Sequence, residues 1–512
     1  MSRHCFPVRA APLACALVLL AACSAPPRRP AAEGTGAPAT AAEPASLAGQ
    51  VLARGDWFLL YQPGPQDTLR SIAAHFLGGA ERWWLIADYN GSSRPEAGRP
   101  LVVPLKSPDP LGVGSDEYQV VPILAYHRFG GGGGRMVVSP ADFAAQLDWL
   151  ARNDYRVIRL ADLAGFLAGK QALPRRAVVL TIDDGYESAY RHALPLLRKY
   201  GFPATLFVYT DFVGAGGDAL SWPQLQELAA SGLVDIQAHS KTHRNLLERS
   251  PAESDQQYRQ SLEQEVRVPR EALERRLPVQ VRHYAFPYGD ANATVLDLLA
   301  HQQYQLAVTV NPGGNAFFAQ PLMLRRTMVF GDQNLEAFKA RLQTNRPIGP
   351  TSRAGQGLAC AKLPARSGAA ASCGNEPLAL VMDDGVEPVA AFEHALRARA
   401  LQQMQQGRLG EAVASWDILA ALRPQSREYR ERLSQVQGQI DAAIPERLRA
   451  GQLALRRGEL DAADMHFLSV LALQPDQAQA ADALRGIERE RNRLHFLGKF
   501  SRFTLDRKPE VR

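Results

Sequence analysis

The sequence is poor in cysteine: there are five in 512 residues, and Cys5, Cys15 and Cys23 all fall within the first 23. That leaves Cys360 and Cys373, and no catalytic motif surrounds either, so a cysteine nucleophile is not expected. There is no stripe of Lys and Arg interleaved with aromatic residues, and the formal net charge is only +6, so nothing names a nucleic acid as partner. Large apolar residues are almost missing from Ser24 to Ala53, where Ala, Pro, Gly and Thr dominate. Such a stretch cannot bury a core and reads as a flexible tether over 23–54. What remains is ordinary globular chain, 46% hydrophobic and 21% charged. At ~150 residues per domain its length asks for about three domains.

The opening "MSRHCFPVRAAPLACALVLLAAC" has Arg3 and Arg9, an apolar run from Leu13 to Leu20 and small residues before Cys23. This is an export signal over 1–22, too short to be read as a membrane span. Its ending, Leu20-Ala21-Ala22-Cys23, resembles a bacterial lipobox. The resemblance implies cleavage before Cys23 and a lipid on its sulfur, hence a stable membrane anchor. Ser24 after the cysteine implies sorting to the periplasmic face of the outer membrane. In an oxidising compartment a local disulfide between Cys360 and Cys373 is expected.

From Asp56 to Leu105 the pattern reads strand, helix, helix, strand, with Leu69, Ile72, Ala73 and Phe76 at helical spacing behind an Asp67 or Thr68 cap. "DTL..IA..F" and "WWLIADYN" resemble a LysM module (55–106), which implies binding of N-acetylglucosamine-containing glycan. The "PGP" before Gln66 departs from the glycine more usual directly ahead of that motif.

Beyond Tyr118, strands and helices alternate for roughly 220 residues. That spacing predicts a mostly parallel α/β domain, with its chemistry at the carboxyl ends of strands. "AVVLTIDDG" ends in Asp183 and Asp184. Two adjacent like charges at the mouth of a buried strand repel and require a reason. His239 and His243 in "HSKTH" are four apart, and on a helical turn they would project from one face. Two imidazoles and one carboxylate make a three-ligand metal site with room for water. The other carboxylate is then left to face that water as a base. A second "DDG", Asp383-Asp384-Gly385, has no histidine pair after it and reads as a turn.

"TIDDG", "HSKTH" and "YAFPYGD" together resemble the first three motifs of the NodB-homology polysaccharide deacetylases, carbohydrate esterase family four, over 117–347. The resemblance implies a distorted (β/α) barrel of seven strands and a metal held by Asp184, His239 and His243. Asp183 would be the general base, and the backbone N–H of Tyr288 would face the oxyanion. Ala285 stands where many members carry the arginine that orients the base. The segment "LMLRRTMVFGD" lacks their late histidine acid. The exopolysaccharide-processing branch supplies that acid from an N-terminal "YH" strand, and "LAYHRF" nominates His127. Zinc suits the Asp-His-His set, with cobalt or nickel as substitutes.

A Gly-, Ala- and Ser-rich linker (348–391) precedes helical periodicity over 392–490 and a basic tail (491–512). "QQGRLGEAVASWDILAALRPQ" and "RRGELDAADMHFLSVLALQPD" are self-similar. Gly407 pairs with Gly458, Trp416 with Phe467 and Pro424 with Pro475, each 51 apart (458 − 407, for example). They resemble tetratricopeptide repeats, whose period is ~34, so an extra or extended helix is expected between them. Such repeats imply a protein partner.

The fold class expected is multidomain α/β: a distorted (β/α) barrel catalytic domain, a small βααβ LysM-like domain and an all-α helical-repeat domain. The function expected is a lipid-anchored, metal-dependent polysaccharide N-deacetylase acting on exopolysaccharide or peptidoglycan. Two alternatives stay open: a catalytically weak glycan-binding scaffold, and an O-acetyl esterase, whose better leaving group would not need His127.

Overall fold

The computed structural model describes residues 47–107, 109–349, 378, 380 and 386–505, the last eleven by their main chain only. Cys23 and the export signal, Cys360, Cys373 and the second "DDG" lie outside the described residues.

The N-terminal region is a three-stranded antiparallel sheet of Gln50–Arg54, Phe58–Gln62 and Leu101–Pro104, in that order. Helices Leu69–Leu77 and Trp83–Asn90 lie between its last two strands in sequence. Thr68, not Asp67, caps the first helix, in a capping box with Ser71. Asp67 instead accepts from the N–H groups of Ala48, Gly49 and Gly64 and from the Tyr61 hydroxyl. These bonds help to bring Gln50–Arg54 into the sheet, although composition alone reads that stretch as tether. Strand alternation splits the sheet's side chains between two faces. Leu59, Tyr61, Leu101 and Val103 pack on the module's own helices, whereas Phe58, Leu60 and Val102 join a larger cluster.

The central domain curls a parallel sheet in the order Val121–Tyr126, Ala177–Ile182, Ala204–Val208, Val234–Ala238, His283–Ala285, Leu306–Val308. The first two strands are buried at every position, as parallel strands covered on both faces must be. The segment 324–329 spans the open side. Leu324 bridges Val308 at the sheet's far end, and Thr327 and Met328 pair with Leu124 and Ala125 at its start. A distorted barrel results, with seven segments around its wall.

The C-terminal region is a run of helices: Pro388–Gln405, Leu409–Leu422, Arg427–Arg456, Leu460–Leu471 and Ala478–Leu505. The 51-residue spacing arises from one extended helix, Arg427–Arg456, rather than an additional one. Gly407 and Gly458 sit at matching left-handed turns, and Trp416 and Phe467 are both buried. Helix begins at Pro388, inside the expected linker, and the last helix continues into the expected basic tail as far as Leu505. Among the described residues no helix is long and apolar enough to cross a membrane.

The three regions are not beads on a string. One hydrophobic cluster runs from Phe58 and Leu60 through Val120 and Phe317 to Trp416 and Leu484. Polar ties cross the same boundaries, from Arg325 to Glu488 at 2.9 Å and from Ser115 to Glu411 at 2.8 Å.

Candidate active site and metal centre

Strand register sets the site. Tyr126 pairs with Ile182, so His127 and Asp183 are the next residues of neighbouring strands, and the Asp183 N–H donates to the Tyr126 carbonyl at 2.9 Å. Ala238 pairs with Tyr284, so His239 emerges beside Ala285. All of these residues stand at carboxyl ends of parallel strands, where α/β folds gather their chemistry.

Asp184, His239 and His243 each offer a ligand atom, and these atoms lie within 4.8 Å of one another. Asp184 Oδ1 is 3.4 Å from His239 Nε2 and 3.3 Å from His243 Nε2. That oxygen is buried and has no hydrogen-bond partner. A buried carboxylate oxygen without a partner is costly unless something else satisfies it. His239 Nδ1 lies 2.8 Å from the Ala285 carbonyl, which fixes the ring and turns Nε2 toward the cluster. Burial works against ionisation of Asp184, but the two imidazoles beside it hold its carboxyl well below the usual range. The donor set and the unsatisfied oxygen fit a divalent cation with borderline preferences.

The expected helical turn is absent. His239 and His243 lie on a bent loop after strand Val234–Ala238, with Ser240 (φ 74°) and His243 (φ 65°) both left-handed. The histidines converge through that bend, not through helical periodicity. Asp184 is also left-handed, at φ 76°.

Asp183 is 1% exposed, and its Oδ1 accepts from Arg326 Nη1 at 2.7 Å. Burial works against its ionisation. The charge of Arg326, with those of His239 and His127, outweighs burial and keeps the carboxyl below its ordinary value. Oδ2 faces His127 Nε2 at 3.9 Å, and burial pushes the His127 imidazole down despite the carboxylates of Asp183 and Asp184. Tyr288 sits at φ 61° in the turn Pro287–Gly289, 59% exposed, with its ring 5.0 Å from that of His243. Gly289 after it is also left-handed, and a Cβ there would come within 2.5 Å of Val310 N, so the turn requires glycine.

Sequence reasoning missed Arg326. Its side chain is fully buried on the barrel-closing segment, and its Nε donates to the Thr309 carbonyl at 2.8 Å. It pairs with the carboxylate left without an orienting arginine by Ala285. The signal was available in "LMLRRTMVF". In extended chain consecutive residues point to opposite faces, so of two adjacent arginines leading into the strand Thr327–Met328 one turns inward. Arg325 turns outward to Glu488.

Residues 170–307 match the family model for polysaccharide deacetylase. The chain thus carries a polysaccharide deacetylase domain, and the protein is a hydrolase of that type. Over 224 residues it is 27% identical to YxkH of Bacillus subtilis (strain 168), whose name assigns it provisionally to the polysaccharide deacetylases. The match covers 44% of this chain and 76% of that protein. It is 25% identical over 249 residues to the poly-beta-1,6-N-acetyl-D-glucosamine N-deacetylase of Escherichia coli (strain K12). That match covers 42% of this chain and only 37% of the relative's length. Among solved structures, IcaB from Ammonifex degensii aligns over 44% of this chain and 98% of its own, at 29% identity and a TM-score of 0.40.

Proposed function

We propose that the protein is a metal-dependent N-deacetylase of N-acetylglucosamine-containing polysaccharide, exported and lipid-anchored through Cys23 in the cell envelope. The observation that carries this reading is the convergence of Asp183, Asp184, His127, His239 and His243 at one mouth, with a buried Asp184 oxygen that no donor satisfies. Relatives named for poly-β-1,6-N-acetyl-D-glucosamine deacetylation support the substrate class.

Asp184, His239 and His243 would hold the cation, zinc by preference. Bound there, a divalent cation supplies Lewis acidity to a water molecule and to the acetamide carbonyl. Asp183 does the proton work on the water. Arg326 fixes its Oδ1 and keeps the carboxylate ionised, so Oδ2 is the free basic oxygen. The Tyr288 backbone N–H is assigned to the oxyanion of the tetrahedral intermediate. His127 delivers a proton to the departing nitrogen as the carbon–nitrogen bond breaks, giving acetate and a free glucosamine amine. The LysM-like module is assigned to glycan and the helical repeats to a protein partner.

The test is acetate release by the protein beginning at Ala25 on β-1,6- and β-1,4-linked N-acetylglucosamine oligomers, on peptidoglycan and on an O-acetylated polysaccharide, with chelated enzyme alongside. Release abolished by chelation and restored by zinc supports the reading, and the preferred polymer names the substrate. Release only from O-acetylated polymer would replace it with the esterase. Metal bound without any release would replace it with the scaffold.

A further inference from the structure

The bent loop that carries both histidines does not hold itself in place. Its left-handed residues, Ser240 and His243, are conformations that L side chains adopt at a cost of about 1–2 kcal/mol each, so the surroundings must impose them. One internal bond helps, from the His243 N–H to Ser240 Oγ at 2.9 Å. External support comes from Thr210 and Asp211, whose N–H groups donate to the Ser240 and Lys241 carbonyls at 3.3 and 3.0 Å, and from one buried carboxylate elsewhere in the chain. Glu265 is 3% exposed on helix Asp255–Arg276 and reaches between the two histidines. Its Oε2 accepts from the N–H groups of Lys241 and Thr242, both at 2.9 Å, and its Oε1 accepts from the Thr242 hydroxyl at 2.7 Å.

The helix is built to present that carboxylate. Leu262, Glu265, Val266, Pro269 and Leu273 form its buried stripe, so an acid occupies an apolar position. Pro269 has no N–H to give to the Glu265 carbonyl four residues earlier. The buried Tyr284 hydroxyl lies 3.3 Å from that carbonyl and donates to it. Tyr304 donates likewise to the Val266 carbonyl at 2.9 Å. Tyr284 immediately precedes Ala285, whose carbonyl receives His239 Nδ1. The turn of helix bearing Glu265, the loop and the His239 ring are therefore tied into one hydrogen-bonded unit.

We infer that Glu265 is a positioning residue for the metal centre, setting the separation of His239 and His243 and hence the affinity of the site for zinc. The inference rests on the metal-site reading above, and direct binding separates the two. Zinc affinity is measured by competition with a chromophoric chelator on the protein beginning at Ala25, and Co²⁺ absorption reports ligand geometry. Glu265→Gln replaces charge-assisted bonds to the loop with weaker neutral ones and sets an amide N–H against the Thr242 hydroxyl that now donates to Oε1. Zinc affinity should fall by about 10-fold or more, with an altered Co²⁺ spectrum, in a protein that is still folded without zinc. Glu271→Gln, on the same helix but paired at the surface with Arg267, should leave affinity and spectrum alone. Wild-type zinc affinity in Glu265→Gln overturns the inference while leaving the metal site standing. If the zinc-free Glu265→Gln chain unfolds, Thr242→Val decides. It removes only the hydroxyl donated to Oε1, so a reduced affinity supports the inference and an unchanged one overturns it. No zinc bound by the unaltered protein overturns both readings together.

Discussion

The mouth of the barrel and the C-terminal helices are built to opposite standards. Six non-glycine residues among those described have left-handed backbone, and four of them, Asp184, Ser240, His243 and Tyr288, surround the candidate site. From 386 onward the described left-handed residues are Gly407 and Gly458, both where helices turn and glycine bears no penalty. The mouth also buries the charges of Asp183, Asp184 and Arg326, whereas the helices bury Trp416, Phe467 and their apolar neighbours. Strain and buried charge concentrate where groups must be aimed. Regular geometry and apolar packing suffice where a surface need only be held.

That contrast can be broken from either side. The largest effect is expected from Asp183→Asn, which keeps the shape and removes the basic oxygen. Acetate release should fall by about 10²–10⁴-fold, while zinc measured by metal analysis stays bound. Trp416→Ala should act on stability instead. The ring is fully buried, and urea unfolding should report a loss of about 3–5 kcal/mol. The zinc affinity of the folded fraction should not change.

A smaller effect is expected from Tyr288→Gly, which relieves the left-handed strain of an exposed residue. Chemical denaturation should show a gain of about 1 kcal/mol, a sign opposite to that of most substitutions. A pH effect is expected away from both regions. Burial, reinforced by Asp116, pushes the Glu117 carboxyl up from 4.5 to about 7. A raised pKa means the folded state holds the proton more tightly than the unfolded chain. The stability that this contributes is complete below about 4.5 and is lost as pH rises through about 7. Glu117→Gln, which keeps an acceptor for Asn345, should match wild type in melting temperature near pH 4 and exceed it near pH 8.

The candidate site was unevenly legible. Asp183, Asp184, His239 and His243 stand out because adjacent carboxylates and paired imidazoles at strand ends are rare combinations with a common use. His127 was reachable only through its resemblance to one branch of a family, since one histidine at a strand end carries little information. Arg326 and Glu265 were hidden for another reason. Each is a charge at an inward-facing position, and its partner is distant in sequence: Asp183 lies 143 residues from Arg326, and Lys241 lies 24 from Glu265. Pattern can show that such a charge faces inward, but not what it meets there.

The sequence by itself determined the alternation of strands and helices, the paired aspartates and histidines, the turn glycines and the shared register of the two helical units. These are local properties, set by periodicity and by what each residue's backbone permits. Only the tertiary structure decided how Arg326 closes on Asp183, how Glu265 meets the histidine loop, and how three modules come to share one hydrophobic cluster. Those contacts depend on which surfaces meet once the chain has folded, and burial fixes their strength because a desolvated charge must find its partner.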